Sequence, residues 1–426
     1  MMTGKANSMN YPKFVKWSTF QEQSAFRLPK LKMTFYKLLM AKEFAIGIYL
    51  FCFKVLFSIF KLFPLYDKTT FVTSFGDNCQ YIANEMDKQD ISVQKVFLMK
   101  SSSSIQVKDD GETIVLPFES KNILAMFRSV YHLATSKWII VDNYFGFLSA
   151  IAFKKQVTCV QVWHAAGAVK QFGAKDPSIQ NRSAGARKRF LEVYNKFDYV
   201  TAGSERMAEI FRESFQLPAS HILRTGIPRT DFFFNDESKR NARNALLDKY
   251  PELEHKKIIL YAPTFRNDGL NGGEIALDLE LLYKELQGEN YALLLKLHPA
   301  VNPKHDLQDK FPGFIYPVNS EFHVNQLLIS TDLLITDYSS IPFEFSFLDR
   351  PMIFFAYDLE KYVQERGFWE DYSSSMPGPV VSTTEELLKE IHADDHSLLK
   401  IASFNQKWNE YSTGNSSRNL VDFLFK

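Results

Sequence analysis

Three cysteines, Cys52, Cys79 and Cys159, are all that the 426 residues contain. The number is odd and no two stand at metal-ligand spacing. That excludes a disulfide scaffold and a structural zinc centre, and makes a reducing cytoplasm the default compartment. An Asp-X-Asp pair, a Walker A loop and a Gly-X-Gly-X-X-Gly turn are also missing. No metal-ligand set and no cofactor motif is therefore expected, and a phosphorylated ligand would depend on cationic side chains and helix-terminal amides. Charge of one sign is lacking too. With 50 Lys and Arg against 49 Asp and Glu the chain carries +1, so the molecule as a whole has no footprint for nucleic acid. There is no usable internal repeat and no long low-complexity segment.

What is present is unevenly spread. Residues 1–63 hold ten Lys and Arg against two acids, Glu22 and Glu43. A basic head on a mildly acidic body points to an anionic membrane surface as partner. Within the head, residues 44–63 read FAIGIYLFCFKVLFSIFKLF. The run begins late for a signal peptide and has no small-residue cleavage site. On a helix, Glu43, Gly47, Lys54, Ser58 and Lys61 make one narrow polar stripe. Such a helix can pack in a domain or span a bilayer. The stripe favours the interface, with Lys54 and Lys61 reaching to the headgroups.

After Pro64 the pattern alternates. Strands are expected at 69–75, 93–99, 112–118, 137–143, 157–164 and 197–204, with helical spacing between them. A second series follows, with strands at 256–263, 291–299, 314–318, 332–337 and 351–357. This predicts α/β architecture with two doubly wound Rossmann-like domains and a crevice between them, the GT-B arrangement. The expected boundaries are 1–66 for the basic segment and membrane-associating helix, 67–225 for the acceptor-side domain, 226–255 for a linker and 256–426 for the donor-binding domain with its C-terminal helices.

In open parallel sheets, ligands bind beyond the carboxyl ends of strands. Four strand ends carry suitable groups. DLLITDYSS places Asp337, Ser339 and Ser340 at a strand-to-helix turn, where free amides and hydroxyls suit phosphate, although simple capping uses the same residues. Glu344, one turn on, could meet a ribose hydroxyl or solvent. LLLKLHP puts Lys296 in an apolar strand and His298 at its end. YAPTFR offers Thr264 and Arg266, whose guanidinium matches phosphate oxygens or a surface carboxylate. QVWHAAGAVKQFG presents His164 on a loop of small residues, Ala165, Ala166 and Gly167, followed by Lys170. A histidine so presented suits a general base, and more often a lone histidine is structural.

Taken together, WHAAGAVKQFG, YNKFDYVTAGSE, GIPRTDFFF, ILYAPTFR, LLLKLHP and LLITDYSSIPFEFSFLDRPMIFFAYDLEKY resemble the CDP-glycerol glycerophosphotransferases of wall teichoic acid synthesis. The resemblance runs from about residue 68 to about 380. It implies a GT-B fold, attachment to the cytoplasmic face of the membrane, CDP-glycerol as donor and an acceptor on a polyprenyl diphosphate. His164 matches the family's base, His298 the histidine at the donor diphosphate, and Ser339 and Ser340 the hydroxyl pair at the phosphate-binding turn. Polymerases of the family have His-Gly-Thr-Pro where this chain has His-Ala-Ala-Gly. That resembles the primases, which add the first glycerol phosphate to a lipid-linked N-acetylmannosaminyl-N-acetylglucosamine disaccharide and release CMP. A glycerol or ribitol phosphate polymerase, a nucleotide-sugar glycosyltransferase and a non-catalytic membrane adaptor are the other readings.

Overall fold

Strands this apolar must be covered on both faces, and the architecture does so with helices. The structure, a computed structural model, describes residues 40–103, 105–266, 275–297, 307–318, 321–393 and 398–426. His298 and most of the basic head lie outside the described residues. The chain forms two units, one up to Leu56 and one from Phe57 to Lys426.

The first unit contributes most of one helix, Met40–Phe60, 21 residues long, with an 18-residue stretch of mean hydropathy 1.9. It is long and apolar enough to cross a membrane by length and composition. Lys54 is exposed on it. Lys61 was expected to reach headgroups, but it falls in the turn after the helix. Its ammonium donates to the carbonyl oxygens of Ala152 at 2.6 Å and Phe153 at 3.4 Å. Those acceptors draw it onto the protein.

The second unit holds two parallel sheets. The first contains β1 (Tyr66–Thr73), β2 (Gln94–Met99), β3 (Thr113–Pro117), β4 (Ser136–Val141), β5 (Thr158–Gln161), β6 (Tyr199–Thr201) and β7 (Ile222–Leu223), in the order β3-β2-β1-β4-β5-β6-β7. The second contains β8 (Lys257–Ala262), β9 (Tyr291–Leu295), β10 (Ile315–Pro317), β11 (Leu333–Thr336), β12 (Met352–Phe355) and β13 (Val380–Val381), in the order β10-β9-β8-β11-β12-β13. Strand order reverses at β1/β4 and at β8/β11. Each reversal opens a crevice at the strands' carboxyl ends, where ligand sites form in such sheets.

The chain crosses between the domains twice. The last helix, Ser416–Phe425, was expected with the second domain. Instead Leu420 and Val421 are fully buried in the core of the first, beside Phe71, Ile82 and Val160. Asp231 fixes that helix by accepting from the amides of Ser416 at 2.9 Å and Ser417 at 2.8 Å. The reason is local: the helix needs an apolar seat, and the first sheet's outer layer supplies it.

The other crossing carries Arg229. This side chain is 8% exposed and its guanidinium donates to the Glu344 carboxylate, with Nε at 2.9 Å. Asp77 lies 3.5 Å away and in turn meets His323 Nε2 at 3.2 Å. His323 Nδ1 accepts from the Asn325 amide, so Nε2 carries the proton and donates. Burial alone would raise the Asp77 carboxyl, and the contacts with His323 and Arg229 outweigh it and hold it below its usual value. Arg229→Leu leaves Glu344, 2% exposed, as an unpaired buried charge. It is expected to cost about 3–5 kcal/mol of stability, and the double change with Glu344→Leu to recover much of that, as read by urea unfolding.

Candidate active site at the interdomain crevice

On the first domain the β1/β4 reversal and the end of β5 meet at His164. Backbone geometry sets it up. Trp163 adopts φ 54°, a left-handed conformation that costs a residue with a Cβ on the order of 1 kcal/mol. Side chains hold it there. Gln161 Oε1 accepts from the Trp163 amide at 2.8 Å, and Asn78 Nδ2 donates to the carbonyl oxygens of Val162 and Trp163, both at 2.9 Å. Asn78 Oδ1 also accepts from the Arg229 amide at 2.9 Å, so one buried amide ties this turn to the interdomain crossing.

The His164 ring stacks on Phe75 at 4.5 Å and on Trp163 at 4.4 Å. Its Nδ1 lies 3.0 Å from the carbonyl oxygen of Asp142. A carbonyl only accepts, so Nδ1 carries the hydrogen and Nε2 holds the lone pair. Burial lowers the pKa to about 4, and the positive charge of Arg229 works in the same direction. The imidazole is therefore neutral at pH 7, with one basic nitrogen.

Asp142 does a second job with its carboxylate. It accepts from the amides of Ser74, Phe75 and Gly76 at 2.7–3.0 Å, and from the Ser74 hydroxyl. That fixes the turn carrying Phe75, and so one wall of His164. Sequence reasoning singled out neither Asp142 nor Phe75. The available signal was an acidic residue at the end of the apolar run KWIIVD.

The loop after His164 is closed by the second domain. Ala165 and Ala166 are buried and Gly167 lies against the ring of Phe343. A Cβ at Gly167 would overlap that ring, so this glycine is required by packing between the domains. Further on, the Gln171 amide donates to the Gly367 carbonyl and the Trp369 amide to the Val169 carbonyl, at 3.0 and 3.1 Å. These bonds clamp the loop and bring Lys170 beside Tyr362.

On the second domain the β8/β11 reversal brings together Thr264, Arg266 and Asp337. The Thr264 amide donates to Asp337 Oδ1 at 2.7 Å. Arg266, expected to fork onto phosphate, forks onto Asp358 at 2.8 and 3.0 Å and reaches Asp337 at 2.9 Å. Its guanidinium also lies 4.8–5.4 Å from the ring centres of Tyr338, Tyr357 and Tyr362. The two carboxylates outweigh burial and raise its pKa. Asp337 is 2% exposed. Ser339 and Ser340 are half-buried, and Ser339 Oγ accepts from the Ile341 amide at 3.0 Å, a local turn bond. Lys296 donates to the Phe322 carbonyl at 2.9 Å at the end of β9. Glu344, expected near a ribose, is held inside by Arg229 instead.

Between the domains is a cleft of about 490 Å³. Lys170 lines it from the first domain, and Thr264, Arg266, Lys361, Tyr362 and Arg366 from the second. Arg266 brings its own counter-charge in Asp358, and Glu365 is a second acid on the wall. Lys170 is pushed down to about 8 by burial, then by the charge of Arg366. That is a cation held against repulsion, and an anionic ligand relieves it. Lys361 and Arg366 had no place in the sequence-derived site, because a charged helix surface reads as solvated.

Residues 56–426 match the family described as CDP-glycerol:poly(glycerophosphate) glycerophosphotransferase. The chain is 38% identical over 84% of its length to the teichoic acid glycerol-phosphate primase of Bacillus subtilis, covering 91% of that protein. It is 32% identical over 86% of its length to the teichoic acid poly(ribitol-phosphate) polymerase of Bacillus spizizenii, covering 57% of that protein. Among solved structures, the wall teichoic acid polymerase TagF aligns over 88% of this chain with TM-score 0.69 and 25% identity, covering 94% of that chain. A UDP-GlcNAc 2-epimerase from Neisseria meningitidis shares the fold alone, with TM-score 0.55 and 14% identity over 84% of this chain and 98% of that one. The chain belongs to the CDP-glycerol:poly(glycerophosphate) glycerophosphotransferase family.

Proposed function

We propose that this chain primes teichoic acid synthesis at the cytoplasmic face of the membrane. It moves glycerol phosphate from CDP-glycerol to a hydroxyl of a polyprenyl-diphosphate-linked N-acetylmannosaminyl-N-acetylglucosamine disaccharide. The observation that carries the catalytic part is His164: a neutral, half-buried imidazole whose Nδ1 is committed to a carbonyl and whose Nε2 is left basic. Nε2 takes the proton of the acceptor hydroxyl as its oxygen attacks the β-phosphorus. The bond from that phosphorus to the bridging oxygen breaks, and CMP leaves with the electron pair. Lys170, Lys361 and Arg366 around the cleft offset the diphosphate charge. Ser339, Ser340 and Lys296, beyond the carboxyl ends of β11 and β9, contribute from the second domain. His298 stands one residue after Leu297, and its role at the donor rests on the sequence resemblance.

Priming, rather than polymerisation, is supported by His-Ala-Ala-Gly at 164–167 and by the higher identity to the primase, 38%, than to the polymerase, 32%. Supplied with CDP-glycerol and the defined lipid disaccharide, the protein should release CMP and add one or very few units. Long products would make it a polymerase, and absence of CMP release would end the reading.

Replacing His164 with Ala should lower kcat by roughly 10²–10⁴ with donor affinity largely kept. Lys170→Met should instead raise KM for CDP-glycerol more than it lowers kcat. The pH profile carries the sign of the burial effect. The base must be deprotonated and Lys170 charged, so kcat/KM should rise with pH through about 4, stay flat between, and fall as pH passes about 8. The donor's negative charge favours the imidazolium, so kcat should titrate at a higher pH than kcat/KM.

A further inference from the structure

The helix Ile123–Thr135 lies far from the charges discussed so far, and it breaks the burial rule for its composition. Ile123, Leu124 and Phe127 are 69%, 71% and 40% exposed. A first turn with three large apolar side chains in water forms a patch that needs an explanation. With Tyr131 and Arg128 they occupy an arc of roughly 140° on the helix. The opposite side, Ala125, Ser129, Val130 and Leu133, is buried against the sheet. Asn122 caps the helix by accepting from the Ala125 amide at 3.0 Å, so the exposed turn is firmly formed.

The stripe is continued by residues 57–63. Phe60 and Phe63 meet the Tyr131 ring edge-on at 5.7 and 5.9 Å. Leu62, 85% exposed, and Ile59 extend the apolar surface beside them. Phe57 is buried and packs on Phe153 at 5.8 Å, and Lys154 donates to the Phe63 carbonyl at 2.6 Å. The end of the apolar helix is thus built into the same face as Tyr131. Around this face Lys121, Arg128 and Lys155 are exposed. An apolar stripe with a basic margin complements an anionic lipid surface.

Topology adds a direction. The helix follows β3 and feeds β4, so its first turn lies at the carboxyl edge of the first sheet. Tyr131, Phe60 and Phe63, which come just before β4 and β1, lie at the amino edge, and the stripe runs along the helix-covered face between them. We infer that Ile123, Leu124 and Phe127, continuous through Tyr131 with Phe60 and Phe63, form a second membrane-seating surface. It lays the helix-covered face of the first domain on an anionic bilayer. That keeps the first domain, and His164 with it, at the surface that holds a lipid-linked acceptor. The inference rests on the lipid-linked acceptor of the proposed function.

Two measurements on the full chain test it. In the first, Leu124→Cys on a Cys52→Ser background is labelled with an environment-sensitive fluorophore, the other two cysteines being buried. Emission should shift to the blue on phosphatidylglycerol vesicles, less so at high salt, and unchanged emission on those vesicles overturns the inference. In the second, Ile123, Leu124 and Phe127 are all changed to Glu, at exposed positions that carry little of the fold. Transfer to a vesicle-embedded acceptor should fall roughly tenfold or more, while transfer to a short-chain, water-soluble acceptor stays unchanged. Equal rates for wild type and variant on the embedded acceptor overturn it. If CDP-glycerol is not turned over with either acceptor, the proposed reaction fails, and the fluorophore still reports whether the face meets lipid.

Discussion

A guanidinium enclosed by protein is tolerated only where carboxylates meet it, and Arg229 imposes that condition on both domains at once. Its partners come from the second domain, Glu344, and from the first, Asp77. Neither carboxylate alone suffices, since a lone buried pair gains little over its desolvation. The shared cation makes the relative placement of the domains a matter of charge neutrality. Asn78 extends the constraint from the side chain to the backbone, joining the Arg229 amide to the turn that presents His164. The strained Trp163 conformation is affordable because those two bonds over-determine it. The geometry around His164 and the docking of the domains are therefore one structure.

Charge closed within the protein differs from charge left for a ligand. Arg266 sits in a cage of two carboxylates and three tyrosine rings. Such a residue organises the β8/β11 crevice and shapes the wall, and its full positive charge is not on offer to a diphosphate. Lys170 has its pKa lowered by burial and by the charge of Arg366, so an anion brought to the cleft gains from it. This separation explains why a strand-end arginine, chemically ideal for phosphate, serves the scaffold, while a lysine on the opposite domain faces the cleft.

Most of the architecture was legible in the sequence. Each strand expected from a β-branched, apolar run is present, because a doubly covered parallel strand has no other composition open to it. The two-residue strands β7 and β13 were invisible, since two residues carry no period. The final helix was assigned to the wrong domain because amphipathic spacing says that a helix has a buried face but not against which sheet. His164 was found from its small-residue loop, yet for a reason the structure changes: Gly167 is small to admit Phe343. Glu344 and Arg229 belonged to different candidate regions, and only the fold brings them together. Asp142 escaped notice because its backbone carbonyl, which no sequence pattern encodes, is the group that sets the His164 tautomer.

The segment from His164 to Lys170 joins the two halves of the proposed reaction. It begins with the base and ends with the cleft cation. Between them it is pinned by Phe343 and by backbone bonds to Gly367 and Trp369. A shift of the 367–369 segment would move the cation first, and His164 only as far as Asn78 and the Asp142 carbonyl allow. Those two anchors belong to the first domain. The base is consequently fixed relative to the acceptor edge, and adjustment to the donor falls on Lys170 and the second-domain wall. Under the proposed reaction that ordering is the useful one, because a lipid-linked acceptor would be positioned by the bilayer while a soluble donor adapts.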